Sequence, residues 1–421
     1  MKSTRELLEA DWRHAWHPFT DQSLWEGVDS PVIVRGEGVW LEDSEGRRYY
    51  DGNSSIWTNI HGHSHPALVE ALREQAGTLC HSSYLGLANA RASELAMTLS
   101  KSFSGGALQR VFFSDNGSTA LEVALRMELQ WRWMRGEKER RKVVAFENAY
   151  HGDTLGAASL GGVGRFFEAI AGLGVEVEQV GGLAGLLAVD GDDVAAVVIE
   201  PVIQGVNEMT PWPTGMLKSV RAWCDEHGAH LICDEVMTGF GRTGALFACE
   251  LEEVVPDYLC LAKGLTGGTM PLAATLTREV IYEDFKGPGK TLYYGHSYTA
   301  NPLGCAVALA SLELCQRDGF LLSVREKGEL MGALLKQLSS HPSVKAVRRV
   351  GMVSGIELAG DGSSRGGKAL CKRLRERGLL TRPILDTVVW MPPLASTRAE
   401  LQAMGHIFQE ALSQELSSSL S

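Results

Sequence analysis

The sequence lacks any C-x-x-C pair, although eight cysteines are spread along it: Cys80, Cys224, Cys233, Cys249, Cys260, Cys305, Cys315 and Cys371. Without paired spacing, neither a disulfide framework nor a zinc site is indicated. Several of these thiols sit in apolar runs such as "LICDEV" and "YLCLAKG", where Cys serves as a small buried hydrophobe of a reducing compartment. Positive charge is also short. Lys and Arg number 40 against 51 Asp and Glu, a formal net charge of −11, which argues against nucleic acid as the main partner. No stretch is apolar enough to span a membrane, and the opening "MKSTRELLEADWRH" has no apolar signal-peptide core. The expectation is a cytoplasmic protein with no nucleic-acid or membrane partner. A phosphate loop is missing too. G-x-x-x-x-G-K-[ST] is approached only by "GPGKT" at Gly287–Thr291, and Asp284 stands where the first glycine belongs. No G-x-G-x-x-G opens a helix directly after a strand with an acidic residue about twenty positions on. Both nucleotide-binding readings fail.

What is present is an ordinary globular balance, 44% hydrophobic and 22% charged over 421 residues. That length suits two domains, or one large domain with an appendage. The 47 glycines gather in short motifs, which points to tight turns and close ligand approach. From about Val111 to Leu276, strand-like and helix-like segments alternate. "RVFF", "KVVAF", "VAAVVIE", "HLICDEV" and "DYLCLAKG" are apolar runs separated by amphipathic segments. Such runs predict an α/β fold whose parallel strands are covered on both faces. The flanks read differently, with a "DSEGR" hairpin near residues 28–50 and a mixed helical and β-like pattern after about residue 305. The expected domains are a large one over 61–310 and a smaller α+β one built from 1–60 and 311–421.

Ligands on parallel sheets bind beyond the carboxyl ends of the strands. Asp234, Lys263, Glu200 and the "SDNGS" turn all fall at such ends. Asp234 and Lys263 close consecutive predicted strands, so parallel pairing brings them to one rim. Lys263 has apolar and glycine neighbours, and desolvation there favours the neutral amine needed for a Schiff base. A carboxylate about one ring away suits a protonated pyridine nitrogen. The "SDNGSTALEVAL" turn offers the N–H groups of Asn116 and Gly117 and the Ser118 hydroxyl at a helix N-terminus, where an anion is favoured. Tyr150 supplies an aromatic face. This is the constellation that pyridoxal 5'-phosphate requires.

With these residues in hand, "SDNGSTALEVALRM", "NAYHGDTLGA", "VIEPVIQG", "ICDEVMTGFGRTG", "FACE", "PDYLCLAKGLTGG" and "HSYTANPLGCAVA" closely resemble the class III aminotransferases, fold type I pyridoxal-phosphate enzymes. The resemblance runs from "WHPFT" (16–20) to "MPPL" (391–394). It implies a seven-stranded, mostly parallel sheet in the large domain. The terminal motifs, with "DGNSSIWTNIHGHSHP", look like the branch that transaminates 8-amino-7-oxononanoate to 7,8-diaminononanoate in biotin synthesis. The amino donor there is S-adenosylmethionine, with lysine as the variant. By resemblance, Lys263 is the Schiff-base lysine and proton carrier, Asp234 the pyridinium partner, and Tyr150 completes the catalytic set. The same resemblance gives Asn116, Gly117 and Ser118 the phosphate. Val236 and Tyr150 flank the ring, and Thr299 reaches the phosphate of a second subunit, which implies a shared-site homodimer. The substrate set is Trp57, Tyr150, Asp153, Gly295, Arg382 and Phe19, with Arg382 clamping the carboxylate. Arg242 has either a structural role or one near the substrate, and Glu200 either orders the site or ends a strand.

Two positions depart from the usual pattern. Phe19 stands where many members carry tyrosine, and Ile56 where many carry a second tryptophan beside Trp57; both bear on the choice of donor. His61, His63 and His65 resemble a metal trap but are read as turn and packing residues, and no metal is expected. The rival readings are another class III transaminase, for ornithine, an acylated ornithine or a 4-aminobutyrate-type amine, and a non-catalytic pyridoxal-phosphate-binding regulator. The pair in "LICDEV" splits: alternation on a strand points Glu235 away from Asp234.

Overall fold

Strand formation follows the apolar runs. The computed structural model describes residues 2–28, 30–170, 172–360 and 362–418. Near the start, a small antiparallel sheet is built from β1 (Ile33–Glu37), β2 (Trp40–Asp43) and β3 (Arg48–Asp51). The central sheet holds β4 (Arg110–Ser114), β5 (Lys142–Phe146), β6 (Val177–Val180), β7 (Val194–Ile199), β8 (His230–Asp234), β9 (Tyr258–Leu261) and β10 (Ala273–Thr277). Their order is β4-β10-β9-β8-β7-β5-β6. Neighbours run parallel except at β10, which is antiparallel to both β9 and β4. This is the α/β sheet the sequence predicts, with one reversed strand that it does not signal.

Every residue of β7, β9 and β10 is buried, as it must be where helices cover both faces. The two faces alternate residue by residue. Leu231, Cys233, Leu259 and Leu261 enter one apolar cluster, while Ile232, Tyr258 and Cys260 enter the other. On the second face lies α1 (Gly117–Met134), which packs Leu121, Ala124 and Leu125 against the sheet.

The parallel register sets Asp234 beside Cys260, three residues before Lys263 in the chain. The β8 and β9 ends therefore share a rim. A further antiparallel sheet contains β11 (Val344–Val350), β12 (Val353–Leu358), β14 (Pro383–Ile384) and β15 (Thr387–Trp390). Just before β14, the short β13 (Leu379–Leu380) leaves that sheet and pairs parallel with β3, Leu380 opposite Asp51. One sheet thus draws strands from positions more than three hundred residues apart. Among the described residues, no helix is long and apolar enough to cross a membrane.

Candidate active site

Lys263 opens a short 3-10 turn, Lys263–Thr266, directly after β9. Its φ of +47° is a left-handed conformation that costs an L-residue roughly 1–2 kcal/mol, the kind of strain that collects at functional sites. The residue is partly exposed, but its amine is surrounded by protein. Burial pushes the ammonium down to about 8; Asp234 and Glu200 pull it up, and Arg242 and Arg382 press it down further. The amine also lies 4.6 Å from the centre of the Trp57 ring. A partly neutral lysine near neutral pH is a nucleophile and a proton carrier.

Asp234 is buried at the end of β8 and has a donor on each oxygen. Val236 N–H donates to Oδ1 at 3.0 Å, and His151 Nδ1–H donates to Oδ2 at 2.7 Å. Burial opposes charge on His151, yet the Asp234 hydrogen bond and charge, with Glu200, hold it above the usual histidine value. Sequence reasoning missed His151. It stood in plain view beside Tyr150, but its partner lies 83 positions away and a lone histidine carries no signal. Glu200 accepts the N–H groups of Tyr150 at 3.3 Å and Gly205 at 2.9 Å. Burial pushes its carboxyl up to about 7, opposed by His151 and reinforced by Asp234. Glu200 orders the site rather than merely ending a strand. Glu235 does turn away: it accepts N–H groups of Ala248 and Cys249 and the Thr238 hydroxyl.

At the N-terminus of α1, Asn116 caps the helix by accepting Thr119 N–H, and its own N–H is taken by Thr119 Oγ1 at 3.2 Å. The Asn116 N–H therefore already has an acceptor within its own turn. Among the described residues, the N–H groups of Gly117 and Ser118 have no acceptor. Ser118 Oγ is bonded to Thr154, both to its hydroxyl and to its N–H. Gly117 is required by its neighbour, since a Cβ there would sit 2.6 Å from Val236 Cγ1. Gly152 is equally constrained, because a Cβ would fall 2.3 Å from Ser118 Oγ. Val236 thus links the anion-favouring helix end to Asp234.

Tyr150 donates to Asp153 Oδ2 at 2.7 Å, and Phe19 lies edge-on to it at 6.5 Å between ring centres. Tyr150, Asp153 and Phe19 thus form one group, while Trp57 lies against Lys263. Arg382 is partly buried, near enough to Tyr150 and Lys263 to act on both; among the described residues its guanidinium has no hydrogen-bond or ion-pair partner, and burial lowers its pKa. Gly295 and Thr299 form a separate loop, where Thr299 Oγ1 accepts His296 N–H at 3.0 Å, and their contacts are local to it. Arg242 is fully buried, donating to the carbonyls of Pro392 at 2.7 Å and Asn59 at 2.8 Å. That is a scaffolding role. "GFGRTG" around it spells a dinucleotide pattern, yet it lies in turns and opens no helix. The three histidines do pack: His61 bonds Ser311, His63 bonds Asp51, and His65 caps the helix Pro66–Thr78.

These donors suit pyridoxal 5'-phosphate: a buried amine, a fixed carboxylate for a ring nitrogen, and two unclaimed amides at a helix N-terminus for a phosphate. Comparison with known proteins agrees. The family described as Aminotransferase class-III matches residues 25–412. The adenosylmethionine-8-amino-7-oxononanoate aminotransferase of Geobacter sulfurreducens is 42% identical over 94% of this chain and 95% of its own length. The protein of that name from Nitratidesulfovibrio vulgaris is 41% identical over 97% of this chain and 82% of its own. Among solved structures, that enzyme from Methanocaldococcus jannaschii superposes with a TM-score of 0.95 at 36% identity, covering 98% of this chain and 99% of the other. An (S)-enantioselective omega-transaminase from Thermomicrobium roseum gives 0.93 at 29% identity, over 98% and 99%. By its lysine rim, its fold and these relatives, the chain belongs to the class-III aminotransferase family.

Proposed function

We propose that this protein transaminates 8-amino-7-oxononanoate to 7,8-diaminononanoate, with S-adenosylmethionine as amino donor and lysine as the alternative donor. Its relatives at 41–42% identity carry the name of that activity. The observation that carries the reading is a pair of neighbouring cations: Lys263, brought down to about 8 with Arg382 among the causes, and Arg382, whose guanidinium has no counter-ion among the described residues. The first suits proton transfer; the second suits a substrate carboxylate held by a bidentate fork.

Pyridoxal 5'-phosphate is the cofactor; when bound, it supplies a cationic ring that draws electrons from the substrate carbon bearing the amine. Lys263 Nζ would take the proton from the donor's amine-bearing carbon in the first half of the reaction and give one to the carbonyl carbon of the keto acid in the second. Asp234, its oxygens pinned by His151 and Val236, would hold the ring nitrogen. Gly117 and Ser118 N–H groups would hold the phosphate, with Val236 and Tyr150 on either side of the ring. Trp57, Phe19, Tyr150 and Asp153 would line the path of the keto acid, and Arg382 would fix its far end. A second copy of the chain would bring Gly295 and Thr299 to this site. Leu85, Leu87, Tyr293 and Tyr298, all strongly exposed, support such a homodimer. The division at residues 60 and 310 goes with this reading.

The test mixes the holoenzyme with S-adenosylmethionine, lysine or ornithine and follows the visible absorbance of the cofactor. Loss of the band with either of the first two supports the proposal. Loss with ornithine alone would make the protein a transaminase of another branch.

A further inference from the structure

Ser54, Ser55, Ile56 and Trp57 have φ values of +47°, +48°, +65° and +68°. Four consecutive residues bearing side chains therefore turn left-handed, a conformation that L-residues avoid and glycine adopts freely. No glycine is present in the run. It persists because its surroundings over-determine it, and Asp51 is one source of the restraint. One oxygen of the buried Asp51 carboxylate accepts the N–H groups of Asn53 at 3.2 Å and Ser55 at 3.1 Å. The other accepts the Ser55 hydroxyl at 2.9 Å and meets His63 Nε2 at 2.9 Å. Ser54 Oγ donates to Met391 O at 2.7 Å.

The turn sends its two large side chains different ways. Trp57 goes inward, packed with Ile203, Met237 and Met391, its indole N–H on Asn53 Oδ1 and its ring against the Lys263 amine. Ile56 is half exposed. The same strand end holds the segment that leads to Arg382. Gly52 N–H donates to Leu380 O at 2.9 Å, and Met391 N–H donates to Gly52 O at 2.8 Å. The carboxylate thus anchors the turn beside the reactive amine, and the backbone of Gly52 next to it ties the same strand end to the segment of Arg382.

We propose that Asp51 is a positioning residue for transamination: its carboxylate holds the left-handed turn that lays Trp57 against Lys263. This rests on the reading of Lys263 as the reactive amine. A purely structural acid would also lower stability when removed, so stability alone decides nothing. Glycine decides. Asp51→Ala leaves the run strained and unheld, whereas Ser55→Gly added to it removes a Cβ from the left-handed position and lets the turn reform without the carboxylate.

Two readouts are compared in the unaltered protein, Asp51→Ala, Asp51→Asn and the Asp51→Ala/Ser55→Gly pair. The first is kcat and KM of the holoenzyme for the keto acid. The second is acylation of Lys263 in cofactor-free protein at pH 8, read by peptide mass. Asp51→Ala is expected to lower kcat at least tenfold. It should also cut Lys263 acylation about fivefold, because an amine rising by about one unit from its value near 8 falls from about half neutral to about a tenth. The glycine pair should recover at least half of each loss on a logarithmic scale. Asp51→Ala within twofold on both readouts, or losses that glycine does not restore, would overturn the proposal. If Asp51→Ala does not fold, Asp51→Asn takes its place. It keeps one acceptor oxygen but not the charge facing His63, so an intermediate loss is expected and an unchanged enzyme overturns the proposal. Lys263 no more reactive than surface lysines in the unaltered protein would instead overturn the reading of Lys263.

Discussion

Replacing Arg382 with methionine tests the substrate end of the cleft. Methionine keeps much of the arginine stem's volume and removes only the guanidinium. In the free protein that group has no partner among the described residues, and burial lowers its pKa, so it stands in the fold as an uncompensated charge. Truncating one side of a buried charge pair costs about 2–5 kcal/mol; since Arg382 is only partly buried, about 2–4 kcal/mol is the fitting range. That corresponds to a fall of about 30- to 900-fold in kcat/KM for the keto acid. The methyl ester of the same substrate supplies the control. The unaltered enzyme should prefer acid over ester by a comparable factor, and Arg382→Met should show almost no preference. Arg382→Lys should restore only part of the loss, because a point charge does not reproduce the fork. Removing a partly buried charge without a partner should leave the unfolding midpoint unchanged or raise it by about 1–2 °C. Equal losses on acid and ester, or a marked fall in stability, would refute the assignment.

Lys263→Met should abolish turnover and change the pH dependence of stability in cofactor-free protein. The folded-state value of about 8 lies below the ordinary 10.5, so between them the unfolded chain binds more protons and stability rises with pH; the penalty is fully present below 8. Urea melts should find Lys263→Met up to about 3 kcal/mol more stable at pH 7 and without that rise; a curve parallel to the unaltered protein's would count against the buried amine. Asp234→Asn should lower kcat by roughly 10²–10³-fold and return His151 toward its ordinary pKa, visible by NMR titration. The stability contributed by His151, present below the unfolded histidine value and lost as pH rises through the folded one, should vanish with it. Arg242→Leu should cost about 2–4 kcal/mol of stability through two lost charge-assisted hydrogen bonds, with kcat within a few-fold. Normal stability with lost activity would instead place Arg242 near the substrate.

The central strands and their rim were legible because burial on both faces writes a continuous apolar run, and each run stops where its polar end residue begins. Asp234 and Lys263 could be paired for that reason alone. The reversal of β10 was not legible, since a fully buried strand reads alike in either direction. His151 and Asp51 were hidden differently: each is a lone polar residue whose meaning depends on a partner brought by tertiary folding. The left-handed turn at 54–57 offers no glycine to announce it. At α1, "DNGST" reads correctly as a helix start, yet the sequence could not tell that Thr119 would claim the Asn116 amide and Thr154 the Ser118 hydroxyl.

The strand pairing of Leu380 with Asp51 also has a consequence for the order of events during synthesis. The hydrogen bond from Ser54 to Met391 spans 337 positions. At about 5–20 residues per second, the segment around Asp51 waits roughly 15–70 s before its neighbours exist. The central sheet is complete by Thr277 and can close around Lys263 in the meantime. Arg382 and its tether arrive afterwards, so the lysine is buried before the pocket for the substrate's carboxylate has a wall. A ribosome stalled between those two points would display a folded sheet with no means of selecting a substrate.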